Sequence, residues 1–169
     1  MVPVYVSSIC NEDCLYCNYR AGNQGAAVRR IRLKDEELRQ EAQFLIQEKG
    51  FHCLELVYAS DPAMRGAAMC RHVELVRNLL ERNGGGAVGL SAQALEQQEY
   101  RSLLDAGLSF SVLWQETYDR TRYQQLHPGR GPKASFEYRL EAYERMLAAG
   151  LRDIGIGVLT GLSPWKRDW

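Results

Sequence analysis

Alternating strand and helix patterns, a glycine at each helix exit and the lack of any linker-like stretch predict an α/β protein built on a parallel sheet. Five short apolar segments have strand character: Val2 to Ser7, Leu54 to Tyr58, Ala87 to Leu90, Leu108 to Leu113 and Ile154 to Leu159. The helical stretches before the last four end at Gly50, Gly84, Gly107 and Gly150. Glycine just past a helix takes the left-handed conformation without a steric penalty. Strands separated by whole helices pair in parallel, because a parallel pair needs a long crossover. A doubly wound sheet and a barrel both satisfy this pattern.

The elements follow in order. Val2 to Ser7 is mostly apolar and rich in β-branched residues, as a buried strand should be. Cysteines 10, 14 and 17 come directly after it. The next stretch, Arg20 to Lys34, carries Gly22, Gly25 and the cations Arg29, Arg30 and Arg32. It reads as a solvated loop, or as a basic surface for an acidic electron donor. From Asp35 to Lys49 the residues Leu38, Ala42, Leu45 and Ile46 share one helix face. Ser135 to Ala149 reads as one helix with Phe136, Leu140, Tyr143 and Leu147 on its apolar face. In parallel βα architectures the loops at the strand C-termini build the site. The cysteine loop, Ala59-Ser60-Asp61-Pro62, Ser91-Ala92, Gln115 to Tyr118 and the segment from Thr160 all belong to that rim.

Composition narrows the class. At 169 residues, 46% hydrophobic and 25% charged, the chain reads as one ordinary globular domain, 1–169. Its 21 basic and 21 acidic residues cancel, which argues for neither nucleic acid nor an acidic membrane as partner. No apolar run reaches spanning length, and the first residues lack the basic start and apolar core of a signal peptide. Free, closely spaced cysteines suit a reducing cytoplasm.

Cys10, Cys14 and Cys17 form a C-x3-C-x2-C pattern on one short loop. Thiolates are the ligands of iron–sulfur clusters, and three of them would leave one iron of a 4Fe–4S cluster without a protein ligand. An open metal position is what a catalytic site keeps and a structural one closes. Zinc is the second reading, but it wants a fourth Cys or His nearby, and His52, His72 and His127 are scattered. A disulfide would leave an odd thiol. Cys53 and Cys70 read as small buried hydrophobes.

With Tyr16 before the last cysteine, this loop resembles the signature of radical S-adenosylmethionine (SAM) enzymes. Further segments resemble the aromatic amino acid lyases of that superfamily, which include the 2-iminoacetate synthase of thiamine biosynthesis and the tyrosine lyase of FeFe-hydrogenase maturation. They are Pro3-Val4-Tyr5-Val6-Ser7, Gln115-Glu116-Thr117-Tyr118, Leu126-His127-Pro128, Gly131-Pro132-Lys133, Ile154-Gly155-Ile156-Gly157 and Gly161-Leu162. The resemblance runs over nearly the whole chain in the family's order. It implies a radical SAM barrel of the TIM type, here partial, with about five parallel strands, helices outside and both ends short of the family's full barrel.

The resemblance also implies cofactors and roles. A 4Fe–4S cluster on Cys10, Cys14 and Cys17 would pass one electron to SAM, giving methionine and a 5′-deoxyadenosyl radical. A carbon–carbon lyase of this type splits the Cα–Cβ bond of L-tyrosine to p-cresol and 2-iminoacetate (dehydroglycine). Tyr5 occupies the position of a tyrosine near the substrate amino group. Tyr16 would lie along SAM's adenine, Glu116 would accept SAM's ribose hydroxyls and Arg139 would pair with SAM's carboxylate. Ala59-Ser60 stands where the family shows Gly-Glu, so Ser60 would offer SAM's amino group one hydrogen bond and no charge. An electron donor such as flavodoxin or ferredoxin is implied, along with a partner or further segment to complete the barrel; alone, the chain is expected to bind the cluster without cleaving tyrosine. A radical SAM enzyme with another substrate and a non-catalytic iron–sulfur module are the competing readings.

Overall fold

The computed structural model describes every residue except Ala26 and Trp169. Among the described residues five strands form one parallel sheet in the order β1-β2-β3-β4-β5. They are β1 (Val2–Ser7), β2 (Cys53–Tyr58), β3 (Ala87–Ser91), β4 (Phe110–Glu116) and β5 (Asp153–Val158). Between them run α1 (Asp35–Gln43, continued by a π-helical turn Phe44–Glu48), α2 (Ala67–Arg82), α3 (Gln97–Asp105), α4 (Arg120–Leu126), α5 (Phe136–Leu140) and α6 (Ala142–Ala149). A doubly wound sheet reverses its strand order at a switch point. Here the order never reverses, so the architecture is an open segment of a (β/α) barrel with its helices on one side.

Strand alternation divides the two faces. Val4, Val6, Leu54, Leu56, Val88 and Leu90 face the helices and are at most 3% exposed. They meet Leu38, Ala42, Val73, Val76, Leu80, Leu103 and Met146, all nearly or fully buried. Each large side chain in that layer is stabilised by roughly 1.5–3 kcal/mol through burial. The face predicted for the first helix is therefore the buried one. The last helical stretch differs from expectation in two ways. It breaks at Glu141 into α5 and α6, and its buried side is Phe136, Arg139, Ala142, Met146 and Ala149, while Leu140 and Leu147 are 36% and 48% exposed. An arginine replaces leucine on the inner side because Arg139 Nε donates to the Trp114 carbonyl at 2.7 Å. At the end of α6, Gly150 takes φ 105, the left-handed cap that the pattern predicted.

On the concave face, β5 owes its glycines to the residues of β4. A Cβ built at Gly157 would lie 2.1 Å from Trp114 Cζ3, and one at Gly155 would lie 2.8 Å from Val112 Cγ2. Their large neighbours lie across the strand, in register with them. The strand β4 also runs further than its apolar pattern suggested, to Glu116, so the predicted loop carboxylate is a strand-end residue.

The edge of β1 is covered by the returning chain. Ser8 N donates to Ile31 O and Leu33 N to Val6 O, both at 2.9 Å. Asp61 secures this return. Fully buried, it accepts both Arg32 Nε and Nη2 at 2.7 Å, Ser7 Oγ at 2.6 Å and Ala63 N at 3.0 Å. Burial alone would push its carboxyl up, but the bonds from Arg32, Ser7 and Ala63 hold it below the usual carboxylate range. A depressed folded-state pKa contributes stability above the unfolded value of about 4 and loses it as pH falls through the folded one. Asp61→Ala is expected to destabilise by about 2–3 kcal/mol, less than a fully buried pair because Arg32 is partly solvated. It should also flatten the acid limb of the stability curve; denaturant titrations at pH 3 and pH 7 that shift equally in parent and variant refute the assignment.

Candidate functional site

Where the strand C-termini converge, a cavity of about 360 Å³ opens on the concave side. Its walls include Cys10, Cys14, Cys17, Tyr5, Tyr16, Ser60, Glu116 and Arg139. Residues up to 134 positions apart in the chain, marked out by the cysteine spacing and by the family resemblance, thus share one cavity.

The cysteine loop is held from several sides. Asn11 N donates to Ser60 O at 3.2 Å, Cys17 N to Cys14 O at 3.0 Å and Ala21 N to Glu12 O at 2.8 Å. The segment after β4 buttresses it. Leu15 N donates to Leu126 O at 3.0 Å, and the Tyr16 hydroxyl bonds to His127 Nε2 at 2.9 Å. The other nitrogen, His127 Nδ1, lies 2.7 Å from the Tyr123 carbonyl. A carbonyl only accepts, so Nδ1 carries the proton and Nε2 accepts from Tyr16. Burial lowers the His127 pKa to about 4, which keeps the ring neutral. Burial, and next Glu116, push the Tyr16 phenol up, so it remains a donor. Glu12, 4% exposed, accepts Lys133 N at 3.3 Å. Its carboxylate packs on Gly131, where an added Cβ would meet Oε2 at 2.5 Å. Tyr123 completes the buttress by donating its hydroxyl to Lys133 O at 2.6 Å.

Glu116 sits at a strained strand end. It is the one non-glycine residue with positive φ among the described residues, at 73°, and the β4–β5 register shifts there. Non-glycine residues in that region cost about 1–3 kcal/mol and cluster at functional sites. Lys133 Nζ donates to Glu116 Oε1, and Arg139 Nη2 lies 3.7 Å from the same oxygen. All three side chains are at most 13% exposed. Burial and the neighbouring Arg139 lower the Lys133 pKa. Two cations therefore flank one carboxylate beside the thiols.

The donor set fits an iron–sulfur cluster. Cys10, Cys14 and Cys17 are free thiols on one loop at a cavity wall. Among the described residues no three His, Cys, Asp or Glu side chains converge on a point that would hold a single metal ion. Zinc gathers its ligands around one centre, whereas the thiolates of a cluster each take a separate iron. Burial pushes the Cys14 thiol up to about 11, with Lys133 and a hydrogen bond with Tyr16 pulling the other way. Metal binding must displace that proton.

The eight residues given cluster, cofactor or substrate roles from sequence all line the cavity, with different degrees of shelter. Tyr5 is 64% exposed on the concave face, while Ser60 and Arg139 are 8% and 4% exposed. Sequence reasoning missed Glu12, Lys133 and the structural part of His127. The glycine at 131, beside a lysine in a noted landmark, was the available signal for a close approach.

A family model described as the radical SAM superfamily matches residues 4–168. The 2-iminoacetate synthase of Escherichia coli (strain K12) is 33% identical over 169 residues, which is 99% of this chain and 42% of that protein. The 3-methylornithine synthase of Methanosarcina acetivorans is 29% identical over 159 residues, covering 94% of this chain and 42% of that protein. Among solved structures, HydG, a maturase of the FeFe-hydrogenase, superimposes with a TM-score of 0.89 at 33% identity, over 99% of this chain and 36% of that one. The chain thus spans about two-fifths of the length of the curated relatives it matches.

Proposed function

The chain belongs to the radical SAM superfamily, whose cofactors are a 4Fe–4S cluster and SAM, and from that premise we propose that it is a radical SAM core domain acting as a carbon–carbon lyase on L-tyrosine. The observation that carries this reading is the single cavity that gathers three free thiols, a sheltered carboxylate, two cations and Tyr5. When bound, the cluster and SAM supply one-electron cleavage of SAM to methionine and a 5′-deoxyadenosyl radical that takes a hydrogen atom from the substrate.

This chain's own residues do the positioning. Cys10, Cys14 and Cys17 would hold the cluster, on a loop stiffened by Glu12, Tyr16 and the 126–133 segment. Glu116, with two acceptor oxygens at the strand end beside the cysteine loop, suits two ribose hydroxyls. Arg139, tied at Nε to Trp114 O, keeps its remaining guanidinium nitrogens for a carboxylate. Ser60 offers a hydroxyl where a charge would bind an ammonium more firmly. Tyr5 stands on the open concave face, within reach of a substrate amino group in the cavity. An electron donor of the flavodoxin or ferredoxin kind supplies the reductant.

Support for the tyrosine assignment comes from the 2-iminoacetate synthase and HydG likenesses taken together with Tyr5. Because Tyr5 and Trp114 are 64% and 46% exposed, the substrate side of the cavity is poorly shielded, and radical chemistry needs a water-excluded pocket. The test is anaerobic reconstitution with iron, sulfide, dithionite and SAM. Formation of 5′-deoxyadenosine is expected, and none from a chain with an intact cluster overturns the enzymatic reading. Conversion of L-tyrosine to p-cresol, once the open side is covered by the rest of a barrel, carries the finer assignment. Consumption of a different amino acid with no p-cresol overturns it.

A further inference from the structure

Below the cavity, the concave face holds a carboxylate that the roles above leave unused. Glu55 on β2 is 9% exposed, and no hydrogen bond or ion pair reaches its side chain among the described residues. Val57, two residues on, lines the cavity. Strand alternation turns Glu55 the same way, one layer deeper, roughly 7 Å along the strand. Its surroundings are apolar. In register it lies between Pro3 and Gly89, and the Phe110 ring covers Gly89 so closely that a Cβ there would sit 2.0 Å from Cζ. Burial raises its pKa, with no opposing interaction.

A ligand that covers this face removes the carboxylate's remaining solvent, and leaving it without a partner is then costly, so a ligand that supplies a donor is favoured. Glu116, Lys133 and Arg139 occupy the upper rim near the cysteine loop, so the lower layer is where the far end of a substrate would lie. We propose that Glu55 is a specificity-determining residue that accepts a hydrogen bond from a donor at the distal end of an amino-acid substrate, a phenol hydroxyl or an alkylammonium. This rests on the reading of the chain as an enzyme acting on an amino acid and names the feature of the substrate it selects. A purely hydrophobic floor discriminates poorly between side chains of similar size. A site built to bond a donor rejects the analogue lacking it far more strongly.

Two ligand pairs test it on the full, reconstituted chain by ligand-detected NMR: L-tyrosine against L-phenylalanine, and L-lysine against L-norleucine. One donor-bearing member is expected to bind roughly ten- to a hundredfold more tightly than its analogue, with the preference gone in Glu55→Leu. The tyrosine pair responding identifies a phenol. The lysine pair alone responding keeps the Glu55 site and overturns the tyrosine assignment. A tyrosine preference that persists in Glu55→Leu overturns the Glu55 site and leaves that assignment standing; no preference in either pair also overturns the site. Glu55→Gln keeps the shape and guards against misfolding. Comparing its carbon-13 spectrum with the parent assigns the Glu55 carboxyl resonance, which must move on adding the preferred ligand; a resonance that stays put counts against the proposal.

Discussion

Alanine at Cys10, Cys14 or Cys17 is expected to reduce iron and sulfide loading of the reconstituted chain to background, while Cys53→Ala and Cys70→Ala load as the parent does. The three loop thiols share one wall of the cavity. Cys53 begins β2 and Cys70 lies in α2, and neither lines that cavity. The effect is all-or-none because a cluster with two protein thiolates has lost the chelation that holds it, and the loop has no spare ligand. His127 is committed to Tyr16 and to the Tyr123 carbonyl, and its ring stays neutral for that task. Iron analysis and the visible absorption of the cluster read the result. Equal iron in Cys14→Ala and parent would remove the cluster assignment, and with it the enzymatic reading.

That cluster loop was legible because chemistry imposes a spacing on the sequence. Three thiols within eight residues satisfy no packing need, so their pattern speaks directly of metal. The parallel sheet was legible for a similar reason, since strand and helix patterns alternate and the helix leading into each of β2 to β5 is followed by a glycine of positive φ. The barrel-like strand order was legible only through the family resemblance. It depends on which strands pair, and periodicity carries no information about pairing. Arg139 shows a further limit: its burial follows from a carbonyl 25 positions away on β4, and leucines at 140 and 147 offered a stronger apolar signal for the wrong side. Glu12 and Lys133 escaped notice because their meaning lies in each other's neighbourhood. A glutamate between two cysteines reads as a solvated loop acid until Gly131 is found against its carboxylate.

Glu116 governs the other large expected effect, since removing it strands two sheltered cations. Lys133 and Arg139 are 12% and 5% exposed at their side chains, and each has this carboxylate as its acidic neighbour. Breaking a buried pair from one side costs roughly 3–5 kcal/mol, because the partner charge is left without compensation. Glu116→Ala is therefore expected to destabilise the chain by about that amount. Lys133→Met should cost less, as Arg139 still answers the carboxylate. The double variant Glu116→Leu/Lys133→Met should recover part of the loss, since an apolar replacement of a buried pair is often near neutral, while Arg139 is still left without the carboxylate. The backbone adds a second signature. With φ at 73°, glycine fits position 116 better than alanine, so Glu116→Gly should be about 1 kcal/mol less damaging than Glu116→Ala. Denaturant unfolding of these four variants and of the single Glu116→Leu, which closes the cycle, separates the contributions. Strictly additive losses in the double variant would show that Lys133 and Glu116 are not energetically coupled. An alanine variant as stable as the glycine one would show that the strand end relaxes. SAM affinity, read by calorimetry on chains that retain their cluster, should fall at least tenfold in Glu116→Gln, which keeps the shape and surrenders the charge; unchanged affinity would move the ribose contact elsewhere on the rim.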